Sequence, residues 1–295
     1  MKLPLDSIID SALNKYNVPT WVRPYIYKYV KENPVSTVKF AISLVDVKRK
    51  KGEVTKTHVK LPNGKEFKME SILKLLNLFY YGEESIASLE KYWATESKDR
   101  NAEFETHFQE MSDIDYKYTR AIKNLTEGLG HSVGQQNESI KKLFDYISSI
   151  ENWNDRIVAT GLILRYSYAR TFGTVFYKVF YPVAPEFMRS FGKAFRTVDD
   201  AERWDSEEAR RRIRNNSIDK EHTLELVREI LPRIMLPIEK NMSLAKELEL
   251  ENEVKLLCDI SIAYPFQVLS ELGMELDVEK EVKQVKIRLS KLASD

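Results

Sequence analysis

Apolar residues recur with a helical period of about 3.6 residues along most of the chain after residue 70. The pattern breaks at Gly128 and Gly130 and again at Pro182 and Pro185, and both residue types commonly end helices. The periodicity predicts helices at 70–97, 99–127, 136–150, 153–180, 186–204, 206–231, 233–249, 251–270 and 277–293. We therefore expect a mainly α fold.

Two pairs of long helices stand out in this pattern, 70–97 with 99–127 and 153–180 with 186–204. Two such hairpins are what a four-helix bundle requires. The helix that begins near Asp155 is apolar on nearly all sides, which is typical of a helix inside a core. Arg165 lies within that apolar run, so we expect it to be buried against an acidic partner.

The first 69 residues follow a different pattern. Two short amphipathic stretches precede alternating apolar and polar residues, which indicate half-buried strands, and Asn63-Gly64 is a hairpin signal. The predicted elements are helices at Asp6–Tyr16 and Trp21–Lys31 and strands at Thr37–Lys48, Val54–Leu61 and Lys65–Met69.

The chain therefore divides into three predicted parts. Residues 1–69 form two short helices and a small antiparallel sheet, residues 70–235 form the helical bundle, and residues 236–295 form C-terminal helices that pack on the bundle.

Composition places the chain among globular proteins, with 43% hydrophobic residues and 46 basic against 45 acidic side chains. The balanced charge also fits a heat-adapted source. The single cysteine, Cys258, excludes an intrachain disulfide and a cysteine zinc site. Met1–Ile9 lacks the pattern of a signal peptide, and no uncharged apolar stretch reaches about 18 residues. We therefore expect a soluble cytoplasmic protein without a membrane span.

Charge is distributed unevenly, because residues 1–70 hold 14 Lys/Arg and 7 Asp/Glu. Two helices followed by a basic hairpin can mimic a winged helix, with Lys48–Lys51 at the wing tip. This predicts one possible function, nucleic-acid binding through the N-terminal region. A second basic cluster, Arg210–Arg214, follows Glu207 and Glu208. We interpret it as a solvated helix face in preference to a phosphate- or nucleic-acid-binding patch.

Bundles of this kind often hold two metal ions, bound by one carboxylate from each of two helices and by Glu-x-x-His from each of the other two. Strict Glu-x-x-His occurs nowhere in the sequence. His222 has an acid three residues before it, Asp219, whereas His58, His107 and His131 do not.

Two stretches nevertheless resemble ferritin-like proteins. Gly82-Glu83 followed by Tyr92-Trp93-Ala94 resembles the first bundle helix of rubrerythrins, and Phe108-Gln109-Glu110 followed by Asp113, Asp115 and Tyr118 resembles the second. Trp153-Asn154-Asp155 through Asp199–Trp204 resembles the second half of ferritin-like oxygenase subunits, such as those of phenylacetyl-CoA oxygenase. The resemblance covers about 70–235 and implies a ferritin-like four-helix bundle.

The resemblance also implies a changed metal site. The family's acid at the place of Asp115 binds metal, and a histidine stands where this chain has Tyr118. The fourth-helix Glu-x-x-His corresponds here to Asp200 and Arg203, and the third-helix carboxylate falls near Arg165 or Tyr166. We expect Glu83, Asp115 and Asp200 to face Arg165 and Arg203 in an ion-pair network.

This expectation makes the chain a non-catalytic or structural subunit without a cofactor, which forms a homo-oligomer or joins a partner subunit. The alternative is an active diiron or dimanganese oxidoreductase with unusual ligands. Glu83, Asp115 and Tyr118 also fit ordinary surface or core positions. A different metal register, meaning a second set of candidate metal ligands, remains open because acids and histidines recur at suitable spacing. Its residues are Glu70, Glu103, His107, Glu186, Asp219 and His222.

Overall fold

A computed structural model describes residues 10, 13–14, 20–32, 53–60, 64, 66–170 and 205–294 of the chain, without the side chains of residues 31 and 166–170. The fold is mainly helical, with a three-stranded antiparallel sheet near the N-terminus, which confirms the predicted class. The helices are α1 Arg23–Glu32, α2 Met69–Ser97, α3 Ala102–Gly128, α4 Glu138–Ser148, α5 Trp153–Ile157, α6 205–214, α7 Lys220–Lys240, α8 Met242–Glu247, α9 Glu251–Glu271 and α10 Val278–Ser294.

The longest helices in the described part of the chain, α2 and α3, form an antiparallel hairpin, as the sequence predicted for 70–97 and 99–127. Asn101 caps the N-terminus of α3, because its side chain accepts hydrogen bonds from the backbone N–H groups of Glu103 and Phe104 at 3.1 and 3.3 Å. Gly128 is the last residue of α3, and Gly130 follows with a φ of +79°. The predicted second hairpin, 153–180 with 186–204, consists largely of residues that the structure does not describe, so the four-helix bundle stays a prediction.

The sheet corrects the prediction of one strand over Val54–Leu61. That stretch contains two short strands, β1 at Glu53–Val54 and β2 at His58–Lys60, which pair antiparallel with each other. Thr55 causes the reversal, because its hydroxyl accepts hydrogen bonds from the N–H groups of Thr57 and His58. The third strand, β3 at Glu66–Lys68, pairs with β2 as predicted, whereas the strand predicted at 37–48 lies outside the described residues.

The apolar helix predicted from residue 153 is present as far as the structure describes it. Its first turns are α5, and the backbone then continues as a π-helix over Val158–Arg170. Ile157, Leu162 and Ile163 are fully buried. The π-helix packs against α7 and α9, so it lies inside the main core as expected.

Two predicted helices, 206–231 and 233–249, have the wrong boundaries. The first is interrupted after residue 214, where Asn216 adopts a φ of +55° and the N–H of Ser217 bonds to the carbonyl of Arg212 at 2.9 Å. Asp219 then caps α7. That helix continues through Pro232 and Pro237. Both prolines are buried, and packing around them offsets the backbone hydrogen bonds that proline cannot make.

Candidate functional site

Arg165 lies at the centre of a buried polar cluster inside the helices. Its side chain is 4% exposed and extends from the π-helix toward Asp115 of α3. Nη1 donates to Asp115 Oδ1 at 3.0 Å, and Nη2 donates to Asp115 Oδ2 at 2.6 Å. The pair is therefore bidentate, the geometry that binds a guanidinium to a carboxylate most strongly. The buried arginine with an acidic partner is present where the sequence placed it.

Two further acids contact the same guanidinium. Glu90 of α2 accepts from Nη2 at 2.6 Å through Oε1, and Asp205 of α6 lies 2.9 Å from Nε through Oδ2. Both carboxylates are fully buried. Three helices therefore each supply one acid to Arg165.

Sequence reasoning missed Glu90 and Asp205. Glu90 carried a usable signal, because helical spacing places it on the same face of α2 as Ile86 and Trp93, where a charged residue needs a partner. Asp205 carried no such signal, since it opens α6 and only tertiary packing brings it to Arg165.

Asp205 also contacts His107 of α3, whose Nε2 lies 2.9 Å from Asp205 Oδ1. His107 is 5% exposed. One of the alternative-register residues therefore joins the central cluster through an acid that the sequence did not indicate.

Gly161 explains how α6 approaches the π-helix so closely. A Cβ at this position would lie 2.7 Å from the backbone carbonyl oxygen of Asp205, which is shorter than real contacts allow. Glycine therefore permits the approach that brings Asp205 to the guanidinium one turn further along.

The predicted residue Glu83 lies at the edge of this cluster. Glu83 and Arg165 line a cavity of about 40 Å³ whose other walls are mainly apolar, including Phe79 and Phe144. Burial raises the pKa of Glu83 to about 8, the charge of Asp115 adds to the rise, and Arg165 opposes it.

Tyr118 is buried one turn after Asp115 on α3. Asp200 and Arg203 lie outside the described residues, and so does the side chain of Tyr166. The predicted network is therefore described around Asp115 and Arg165 only, with Glu83 beside them.

Electrostatics within the cluster are dominated by burial. Burial raises the pKa of Glu90 well above its usual range, although the charge of Arg165 opposes the rise. The pKa of Asp115 is raised for the same reason and is again held down by Arg165. Burial would lower the pKa of Arg165, but the surrounding acids raise it well above its usual value. The guanidinium therefore stays charged.

The described residues of the alternative metal register have separate partners. Glu70 is exposed and pairs with Lys74 at 3.0 Å, whereas Glu103 pairs with Arg212 at the far end of α2. The 29 residues of α2 separate the two glutamates by roughly 40 Å.

The other half of that register has different partners. Asp219 accepts from the backbone N–H of His222 at 2.8 Å, and His222 Nε2 lies 2.9 Å from Asp155 Oδ2. Glu186 lies outside the described residues. Among the residues that the structure describes, no group of three or more His, Cys, Asp or Glu side chains is arranged to hold a metal ion.

The arginines of α6 have acidic neighbours. Arg211 and Arg212 both contact Glu208, and Arg210 contacts Glu271 at 3.1 Å. Arg211 is 54% exposed, as the solvated-face interpretation expects, whereas Arg212 is only 8% exposed, so that interpretation is wrong for Arg212. The other basic candidate, Lys48–Lys51, lies outside the described residues, so nucleic-acid binding stays a prediction.

No helix in the described part of the chain combines the length and apolar character needed to cross a membrane. No protein-family model matches the sequence, and no curated protein is significantly similar to it. Any functional assignment therefore depends on the geometry around Arg165. That geometry holds three helices together through one guanidinium whose carboxylate partners are shielded from solvent.

Proposed function

We propose that this chain is a ferritin-like helical-bundle protein in which Arg165 takes the place of the metal, and that it works as a non-catalytic, structural subunit. The observation that carries the proposal is the contact of one guanidinium with Asp115, Glu90 and Asp205. A buried acid cluster needs a compensating cation, and an arginine supplies one as a metal ion would.

The position of the cation supports this interpretation. The guanidinium lies among the carboxylates and engages both oxygens of Asp115, which are the atoms a metal ion would use. Arginine is always protonated at physiological pH and cannot bind or activate oxygen. A carboxylate cluster occupied by Arg165 stabilises the packing of the helices. The role that we propose for such a chain is association with a second copy or with a metal-bearing subunit.

Metal analysis of protein purified without chelators tests the proposal directly. We expect iron and manganese far below one equivalent per chain and no absorption band of an oxo-bridged iron pair. Two irons per chain that are lost in Asp115→Asn would contradict the proposal and would support the diiron oxidoreductase instead.

A gain-of-binding variant sharpens the test. Arg165→Glu replaces the cation with a fourth carboxylate, so we expect this variant to take up added Mn²⁺ where the wild type does not. Arg211→Glu is the matched control, because it makes the same charge change at a side chain that is 54% exposed. Equal Mn²⁺ uptake by both variants would show that the added charge, and not the position of Arg165, governs binding.

A further inference from the structure

The central cluster contains more carboxylates than one guanidinium can balance. Glu90, Asp115 and Asp205 are each at most 1% exposed, and all three contact Arg165. If all three were ionised, this group would carry a net charge of −2 in a region shielded from water. Such a charge is strongly disfavoured, and buried acids usually gain a proton instead.

The contacts indicate where a proton is held. Glu90 Oε1 and Asp115 Oδ2 both lie 2.6 Å from the same nitrogen, Nη2 of Arg165, so the two carboxylates are neighbours. The second oxygen, Glu90 Oε2, is buried and has no hydrogen-bond partner among the described residues. Two carboxylates that share one buried site are disfavoured from being ionised together.

The charged groups around Glu90 come from four elements. Arg165 faces it from the π-helix, Asp115 from α3 and Asp205 from α6, while Glu83 lies about two turns earlier on α2 itself. His107 of α3 contacts Asp205 and adjoins this group through that acid. Arg165 is therefore the described cation that reaches Glu90.

We propose that the folded protein holds one proton shared between Glu90 and Asp115 at neutral pH, so that Arg165 faces one carboxylate and one carboxylic acid at this position. The inference rests on these contacts and goes beyond the structural role proposed above. The raised pKa values of Glu90 and Asp115, both caused mainly by burial, support it. Because the two acids are coupled, the proton belongs to the pair.

A bound proton links stability to pH in a defined direction. The unfolded chain loses this proton near the ordinary glutamate pKa of 4.5, whereas the folded protein keeps it to higher pH. The stabilisation is present below that value and is lost as pH rises toward the raised pKa. In this window the unfolding constant of the wild type should rise tenfold per pH unit relative to a variant that lacks the proton.

The experiment measures urea unfolding between pH 5 and 8 for the wild type, Glu90→Gln, Asp115→Asn and the double variant. Either single substitution removes the shared proton. The slope of the free energy of unfolding against pH should therefore decrease in each single variant by the amount that one bound proton contributes, and the double variant should show no further decrease. Glu84→Gln is the control, because Glu84 is partly exposed on the same helix and lies 3.5 Å from the hydroxyl of Tyr80. It should keep the wild-type slope.

Difference infrared spectroscopy gives a second readout that does not depend on unfolding. The wild type should show the carbonyl stretch of protonated carboxylic acid, and Glu90→Gln should lose part of its intensity, while the contribution of Glu83, whose pKa burial raises to about 8, remains. Parallel stability curves for the wild type and Glu90→Gln, or an acid carbonyl band of equal intensity in both, would overturn the inference while leaving the structural role intact. A double variant that loses two protons would overturn the sharing. Stoichiometric metal in the wild type would overturn both proposals.

Discussion

The guanidinium of Arg165 shows how one residue can impose an arrangement on several helices. Its buried side chain extends from the π-helix and ends among three acids that lie far apart in sequence. A buried ion pair adds little net stability compared with an apolar replacement of the whole group, but removing one partner leaves uncompensated charge. We therefore expect the cluster to favour this packing of α2, α3 and α6 over others that would leave the arginine unpaired.

Arg165→Met removes the guanidinium while keeping a long, unbranched side chain. We expect a loss of about 3–5 kcal/mol in the free energy of unfolding, because Asp115 and its neighbours lose their buried cation. Urea denaturation at pH 7 measures the loss. Arg211→Met, which removes an exposed ion pair with Glu208, should cost at most about 1 kcal/mol. Equal losses in the two variants would mean that the buried contacts contribute no more than surface ones.

At the scale of elements, the π-helix and α6 depend on each other. A π-helix is rare and is held in proteins by its surroundings. Here α6 lies against it so closely that Gly161 has no room for a Cβ beside the backbone of Asp205. This approach orients the carboxylate of Asp205 toward Arg165, so the backbone contact at Gly161 and the ion pair depend on each other.

Gly161→Ala tests the close packing of α6 on the π-helix, because the new methyl group would overlap the carbonyl of Asp205. We expect a destabilisation of about 1–3 kcal/mol, as for overpacking in a core. The control is Gly82→Ala in the middle of α2, where nothing lies within 4 Å of an added Cβ. That change should stabilise the protein by about 0.5–1 kcal/mol through helix propensity. Thermal unfolding of both variants gives the comparison, and a neutral Gly161→Ala would show that α6 can move away without cost.

The predictable part of the whole molecule is the part governed by local periodicity. The helices 70–97, 99–127 and 251–270 were predictable because long apolar faces repeat over many turns. The break at Asn216 and the turn at Thr55 were not, since each depends on a backbone conformation or a side-chain hydrogen bond within a few residues. Periodicity predicts which face of a helix is buried, but it does not predict which acids from other helices lie against that face. The burial of Arg165 was therefore predictable, whereas its contact with Asp205 was not.

Two hydrophobic cores share the α2–α3 hairpin. The larger one contains the C-terminal part of α2, including Trp93, and joins it to the π-helix and to α6, α7, α9 and α10. The smaller one contains the first turns of α2, and Val59 and Phe67 of the sheet pack there with Leu244 and Leu248. Because α2 is one uninterrupted helix through both cores, we expect the sheet and the main core to unfold together.

Phe67→Ala tests this coupling across the molecule. Phe67 is 4% exposed in the smaller core, so its truncation should cost about 3–5 kcal/mol. If the cores are coupled, the unfolding midpoints measured by tryptophan fluorescence and by far-ultraviolet circular dichroism should fall together. Ile287→Ala, at an apolar side chain that is 57% exposed, should leave both midpoints nearly unchanged. A fluorescence midpoint that stays at the wild-type value while part of the dichroism is lost earlier would show that the sheet unfolds independently. The continuous helix would then not carry stability from the small core to the cluster around Arg165.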